Sequence, residues 1–166
     1  MSANRRNPVA RPATKSINTR YEEAAASPGF VLWQVASLWQ RALRGALEEA
    51  GLTHAQFVLL ASAGWLEAHA AGGDTTPVTQ VDVAAHAKTD VVMTSEVLRT
   101  LERKGLVRRL AHPTDARAKQ IALTAAGRRL AQRAVALVEE ADEEFFKARG
   151  PELQQLAGLL CPMFSK

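Results

Sequence analysis

The residue types best suited to covalent or metal chemistry are scarce in this chain and badly spaced. His54, His69, His86 and His112 are dispersed, with no H-x-x-H or H-E-x-x-H pair and no cysteine beside them. A metal site on a helix needs two ligands one turn apart. Cys161 is the single cysteine, which excludes an intramolecular disulfide and disfavours a cysteine-based zinc site. There is no G-x-S-x-G elbow, and the pair Gly72-Gly73 reads as a turn rather than a phosphate cradle. No catalytic residue, cofactor or metal is therefore expected. The side chains left to do chemistry are cations. Between residues 79 and 124, eight of them (Lys88, Arg99, Arg103, Lys104, Arg108, Arg109, Arg117 and Lys119) stand against Asp82, Asp90, Glu96, Glu102 and Asp115. Guanidinium and ammonium groups in such a segment can neutralise phosphates and, where a helix presents them, reach base edges. The whole chain leans the same way, with a formal net charge of +4.

The elements that must position these groups follow from pattern. At 166 residues, 47% of them hydrophobic and 23% charged, the chain fits one globular domain with appendages. Few aromatics and abundant alanine favour helices over a β-sandwich. Phe30 to Ala50 is helical in pattern, and its first half is apolar almost all round (Phe30, Val31, Leu32, Trp33, Val35, Leu38, Trp39). One small domain rarely covers such a helix, so a second chain is the expected cover. Gly51 stops it, and Thr53 with Gln56 forms a capping box for a helix over 54–70 carrying Phe57, Leu60, Ala61 and Gly64 on one stripe. After a loop at 70–77, Thr79 and Asp82 make a second capping box for a short helix to Ala87.

Lys88-Thr89-Asp90 is then a hinge into a helix running to Lys104, with Val97, Leu98 and Leu101 facing inward. The period changes after Gly105. Residues 106–111 and 120–123 read as two strands joined by a turn at Pro113-Thr114-Asp115. Thr124 caps a long helix to Arg149, in which Leu130, Ala134, Leu137, Val138, Ala141 and Phe145 give a coiled-coil-like seam. Pro151 opens a last helix with Leu153, Leu156, Leu159 and Leu160. Residues 1–28, basic and almost free of large apolar side chains, read as a flexible arm. With no signal-peptide core and no apolar run long enough for a membrane, the cytoplasm is the expected location.

A short helix, a tight turn, a second helix and a charged hairpin, in that order, make a winged helix-turn-helix, so the expected fold class is mainly α with a two-stranded wing. Residues 91–128 resemble the recognition helix and wing of MarR-family regulators. The resemblance rests on L-x-x-L-E-x-K-G-L-V at Leu98–Val107, D-x-R at Asp115–Arg117 and L-T-x-x-G at Leu123–Gly127. It implies that Arg117 enters the minor groove and that Asp115 fixes the hairpin tip. On the helix, subtracting the inward stripe leaves Val92, Met93, Ser95, Glu96 and Arg99 outward, with Ser95 and Arg99 as base or phosphate contacts and Val92 and Met93 against thymine methyls. Arg103 and Lys119 complete the DNA-facing set. Many family members carry arginine where this chain has Glu96. A carboxylate there is repelled by phosphates but can accept from a cytosine amino group.

The resemblance further implies a homodimer built from the first helix and the last two (29–52 and 124–166) around a DNA-binding lobe at 53–123, acting on a palindromic operator as a repressor. It also implies a pocket for a small aromatic or phenolic effector, which Trp39, Phe57 and Trp65 would line. Arg128, Arg129 and Arg133 in the first turns of the long helix oppose its dipole, which points them at phosphates or at a partner's carboxylates. Cys161 is expected in a core near the dimer seam. The competing reading is a helical protein-interaction module without DNA binding, supported by the apolar first helix and opposed by the basic hairpin.

Overall fold

A computed structural model describes residues 19–70, 77–112, 117–147 and 150–163. The chain divides into two units, Met1–Val35 and Ala36–Lys166. In the first, a 3-10 turn at Ala24–Ala26 leads into helix α1 (Pro28–Glu49), and Phe30, Leu32, Trp33 and Val35 of its opening turns are exposed. The rest of α1 belongs to the second unit, where Leu43 and Leu47 are buried.

The second unit continues as α2 (His54–Ala70), α3 (Gln80–Ala87), α4 (Val91–Arg103), β1 (Val107–Ala111), β2 (Lys119–Leu123), α5 (Ala125–Phe146) and α6 (Gly150–Leu160). Both expected capping boxes form. Gln56 N donates to Thr53 Oγ1 at 3.2 Å while Thr53 N donates to Gln56 Oε1. Thr79 N donates to Asp82 Oδ2 at 2.8 Å, and Asp82 N returns a bond to Thr79 Oγ1. Each satisfies two backbone donors that a helix start would otherwise leave orphaned.

One apolar core joins these elements. Leu43 and Leu47 of α1, Leu59 and Leu60 of α2, Val83 of α3, Leu98 and Leu101 of α4, Ile121 and Leu123 of β2 and Ala134 of α5 are all essentially inaccessible. Each large aliphatic among them contributes roughly 1.5–3 kcal/mol of burial. Here the α5 stripe departs from expectation. Ala134 and Val138 are buried, and Leu130, Leu137 and Ala141 pack against the same core. Much of the seam assigned to a partner is thus covered by the chain's own α2 and wing, since an apolar helical stripe does not record which surface covers it. Cys161 is exposed on the single chain, in a 3-10 turn (Cys161–Met163) that follows α6. No helix among the described residues is long and apolar enough to cross a membrane.

Trp39, His54 and Asp142 tie α1, α2 and α5 together. The indole Nε1 of Trp39 donates to Asp142 Oδ1, and the ring meets His54 edge-on with centroids 5.3 Å apart. His54 Nε2 is buried with no hydrogen-bond partner among the described residues. Burial pushes the His54 imidazole below its ordinary value of 6.5, with Asp142 pulling weakly upward. A depressed folded-state value favours the neutral ring, so its share of stability is present above pH 6.5 and is lost as pH falls through the folded value. The melting temperature of the natural chain should therefore drop more between pH 7.5 and 5 than that of His54→Gln. Parallel melting profiles would show that this imidazole is not the titrating group.

Candidate nucleic-acid interface

The interface is assembled by the turn between α3 and α4. Lys88 adopts a left-handed conformation (φ 53°), and Thr89 N reaches back to Ala84 O at 3.0 Å, ending α3 within one residue. Asp90 then caps α4, its Oδ1 accepting from Val92 N (2.8 Å) and Met93 N (3.0 Å). Thr94 is fully buried but satisfied, donating to Asp90 O at 2.7 Å and bonded to the Thr89 hydroxyl at 2.8 Å. With Leu98 and Leu101 it makes the buried face of α4.

The opposite face carries Val92, Glu96, Arg99 and Arg103, which recur at intervals of four, three and four and are all exposed, Val92 at 68%. Met93 and Ser95 are half-buried at its margins. The expected outward set thus falls on one stripe plus its flanks. A two-faced helix with a cationic outer stripe has the diameter and the charge for a major groove.

The hairpin follows at once. Gly105 (φ 69°) turns the chain out of α4, and β1 pairs antiparallel with β2 from Val107↔Leu123 to Ala111↔Lys119. It is anchored from both sides. Ile121 N donates to Val78 O at 2.8 Å, and an isolated antiparallel bridge joins Thr79 to Gln120, so the start of α3 is tied to β2 by a contact that sequence reasoning missed. On the other side Arg109 N donates to Glu102 Oε1 (3.2 Å) and Arg109 Nη2 to Gln80 Oε1 (3.2 Å), fixing β1 to α3 and α4 together. Arg117 and Lys119 are exposed where the hairpin returns; Asp115 lies outside the described residues.

Not every cation of the basic segment is available. Lys104 Nζ is bound to Gly51 O (2.8 Å) and Gln56 Oε1 (2.9 Å), clamping the end of α4 to the start of α2. Arg109 is committed as just described. Lys88, Arg99, Arg103, Arg108, Arg117 and Lys119 remain exposed. On α5, Arg128 is engaged within the chain. It pairs with Glu67 of its own chain and donates to Leu123 O (3.2 Å), while Glu67 Oε1 accepts from Leu123 N (2.7 Å). That ion pair was not legible from sequence, because its members are distant along the chain.

The three aromatics expected at an effector pocket separate. Phe57 and Trp65 line an apolar cavity of about 850 Å³ between α2 and α5, a volume inside the ~300–1,000 Å³ range of small-molecule sites. Trp39 lies instead in the cluster with His54 and Asp142. Trp65 stacks on His69 (3.7 Å) and leans on His86 (4.7 Å), so α3 also borders the cavity.

A buried-backed helix with a cationic outer stripe, held against a basic two-stranded hairpin, defines a winged helix-turn-helix protein. The comparisons agree. The family described as ArnR1-like, winged-helix domain matches residues 48–140. The chain is 41% identical over 142 residues to the uncharacterized HTH-type transcriptional regulator YdcH of Bacillus subtilis (strain 168), covering 86% of this chain and 93% of that one. It is 32% identical over 114 residues to the HTH-type transcriptional repressor Rv2887 of Mycobacterium tuberculosis, covering 69% and 76%. Among solved structures it resembles CouR from Rhodococcus jostii RHA1 bound to p-coumaroyl-CoA (TM-score 0.69, 27% identity, 87% and 96% covered). It also resembles a transcriptional regulator (MarR family) from Rhodococcus sp. RHA1 (TM-score 0.72, 28% identity, 87% and 96% covered). A third likeness is to the MepR–DNA complex of S. aureus (TM-score 0.68, 26% identity, 82% and 96% covered). The chain belongs to the MarR family of winged-helix regulators. It is a DNA-binding transcriptional regulator and not an enzyme.

Proposed function

We propose that this regulator is a homodimeric repressor that acts in the cytoplasm by occupying a two-fold symmetric operator. The observation that carries the reading is the single exposed stripe Val92–Glu96–Arg99–Arg103 on a helix whose other face is locked into the core. In this reading α4 lies in the major groove, with Ser95 and Arg99 on base edges or phosphates, Val92 and Met93 on thymine methyls, and Glu96 accepting from a cytosine amino group. Asp115, Arg117 and Lys119 hold the hairpin at the adjoining minor groove, where a guanidinium suits the narrow, electronegative slot.

Residues 53–123 form the DNA-binding lobe; residues 29–52 and 124–166 form the dimer, with 1–28 as a basic arm. Dimerisation is supported by apolar side chains that this chain leaves in water: Phe30, Leu32, Trp33, Val35 and Leu38 on α1, and Leu156, Leu159 and Met163 at the C-terminal end. Repression accords with the relative named a repressor, and an aromatic effector accords with the apolar cavity and with the ligand bound to CouR.

Selection from random duplex DNA tests the reading, and should return an inverted repeat with half-sites about one helical turn apart. Arg117→Ala should weaken binding to the selected duplex about tenfold and shrink its salt dependence, with the oligomeric state unchanged. Affinity unaffected by Arg117→Ala would remove the wing assignment. Enrichment of no sequence, with binding indifferent to salt, would favour a protein-interaction module instead.

A further inference from the structure

Three helices of this chain end in the same pair of backbone hydrogen bonds. At the end of α1, Gly51 N donates to Glu48 O (3.0 Å) and Leu52 N to Leu47 O (3.0 Å). At the end of α4, Gly105 N donates to Glu102 O (2.8 Å) and Leu106 N to Leu101 O (3.0 Å). At the end of α3, Lys88 N donates to Ala85 O (3.3 Å) and Thr89 N to Ala84 O (3.0 Å). Each pair satisfies carbonyls of the last turn, and each goes with a left-handed residue at the helix end. Gly51 (φ 63°) and Gly105 (φ 69°) adopt that conformation freely, since glycine has no β-carbon. Lys88 (φ 53°) adopts it under strain, the one non-glycine residue with positive φ among the described residues.

The fold gains nothing visible from lysine at this position. Lys88 is exposed, and its ammonium has no hydrogen-bond or ion-pair partner among the described residues. The rest of the hinge is occupied. The Thr89 hydroxyl is bonded to that of Thr94 at 2.8 Å, and Asp90 Oδ1 accepts from Val92 N and Met93 N. Of the three hinge side chains, Lys88 alone has no internal task. Strain kept where glycine would relieve it points to a use outside the chain.

Position identifies that use. Lys88 stands three residues before α4, whose outer stripe carries Val92, Glu96, Arg99 and Arg103. With the N-terminal end of α4 at base edges, the turn leading into it passes the sugar-phosphate backbone at the lip of the groove. An ammonium on a four-carbon stem is a compact point charge that suits a phosphate oxygen. We infer that Lys88 is a phosphate anchor, a cation held on a strained turn that gives up stability for DNA affinity without reading sequence. The inference rests on α4 being the helix in the major groove.

Three full-length variants test it, by melting and by binding to the selected duplex and a scrambled one over a range of salt. Lys88→Gly should melt about 2–4 °C higher than the natural chain. It should nevertheless bind both duplexes about tenfold more weakly, with a salt slope smaller by about 1 for each lysine in the complex. Lys88→Gln keeps the β-carbon and loses the charge, so it should share the binding loss without the gain in melting temperature. Lys88→Arg should match the natural chain in both. Natural affinity in either uncharged variant would overturn the inference. So would an equal loss in Lys88→Arg, a loss confined to the selected duplex, or a loss with the salt slope unchanged. Lys88→Gly melting no higher than Lys88→Gln would remove the strain and sink it as well. A natural chain that binds no duplex would bring down the operator reading together with this one. Salt-sensitive binding that both uncharged variants retain in full would bring down this one alone.

Discussion

Gly127→Val should abolish the fold. A β-carbon added at Gly127 would sit 1.9 Å from Leu106 O and 2.9 Å from Leu106 C. These are backbone atoms with no freedom to retreat, since Leu106 follows the tight turn at Gly105, and Leu106 O accepts from Thr124 N at 3.0 Å. The same few residues hold the junction by other bonds. The Thr124 hydroxyl donates to Gly105 O (2.7 Å) and accepts from Gly127 N (3.0 Å), so the start of the wing and the start of α5 are one knot. Relieving the clash requires withdrawing α5 and with it Ala131, Ala134 and Val138 from the core. The cost should exceed about 4 kcal/mol, a large part of a typical domain's ~5–15 kcal/mol. Ala126→Val is the control, because it adds the same side chain one residue earlier at an exposed position of the same helical turn and should cost well under about 1 kcal/mol. Melting followed by circular dichroism decides between them. A cooperative transition in Gly127→Val within a few degrees of the natural chain would refute the account of this junction.

That junction also marks how far the sequence could be read. The L-T-x-x-G motif was visible, and so was the amphipathic period that turns Val92, Glu96, Arg99 and Arg103 outward. Both are local, and local periodicity survives folding because the core only has to accept the stripe already offered. What makes the motif's glycine obligatory is a carbonyl on the far side of the wing, and no spacing rule contains it. The same holds for Glu67 with Arg128, Lys104 with Gln56, and Arg109 with Gln80. Each joins residues far apart in the chain, through long polar side chains that pattern would leave in solvent. Counting charges therefore overstated the basic surface, since Lys104 and Arg109 are fasteners of the lobe. Trp39, Phe57 and Trp65 show the other limit. The family resemblance put all three at one effector pocket, yet only the packing of α5 decides that two of them share a cavity while the third donates to Asp142.

Leu156→Asp combined with Leu159→Asp should divide the proposed dimer and, with it, most of the operator affinity. Both leucines are exposed on α6, Leu159 at 73%, so their replacement removes nothing from the core of the single chain. Leu137, the obvious choice from the heptad pattern, lacks this property because it packs against that core. Its replacement by aspartate would unfold the lobe as readily as it would separate a dimer. Two buried carboxylates facing their symmetry mates would cost far more than an interface of ordinary strength can absorb. A monomer keeps one α4 and one wing, and so retains half-site binding, but loses the gain from a tethered second lobe, about 10²–10⁴-fold. Sedimentation should report a monomer, the helical spectrum and melting temperature of the lobe should persist, and the full operator should bind no better than a half-site. A dimer that survives both substitutions would move the interface away from α6 and onto the exposed opening of α1, where Trp33→Glu, at a residue 64% exposed, is the corresponding variant. A monomer that still held the full operator as tightly as the natural chain would break the link between two-fold symmetry and recognition.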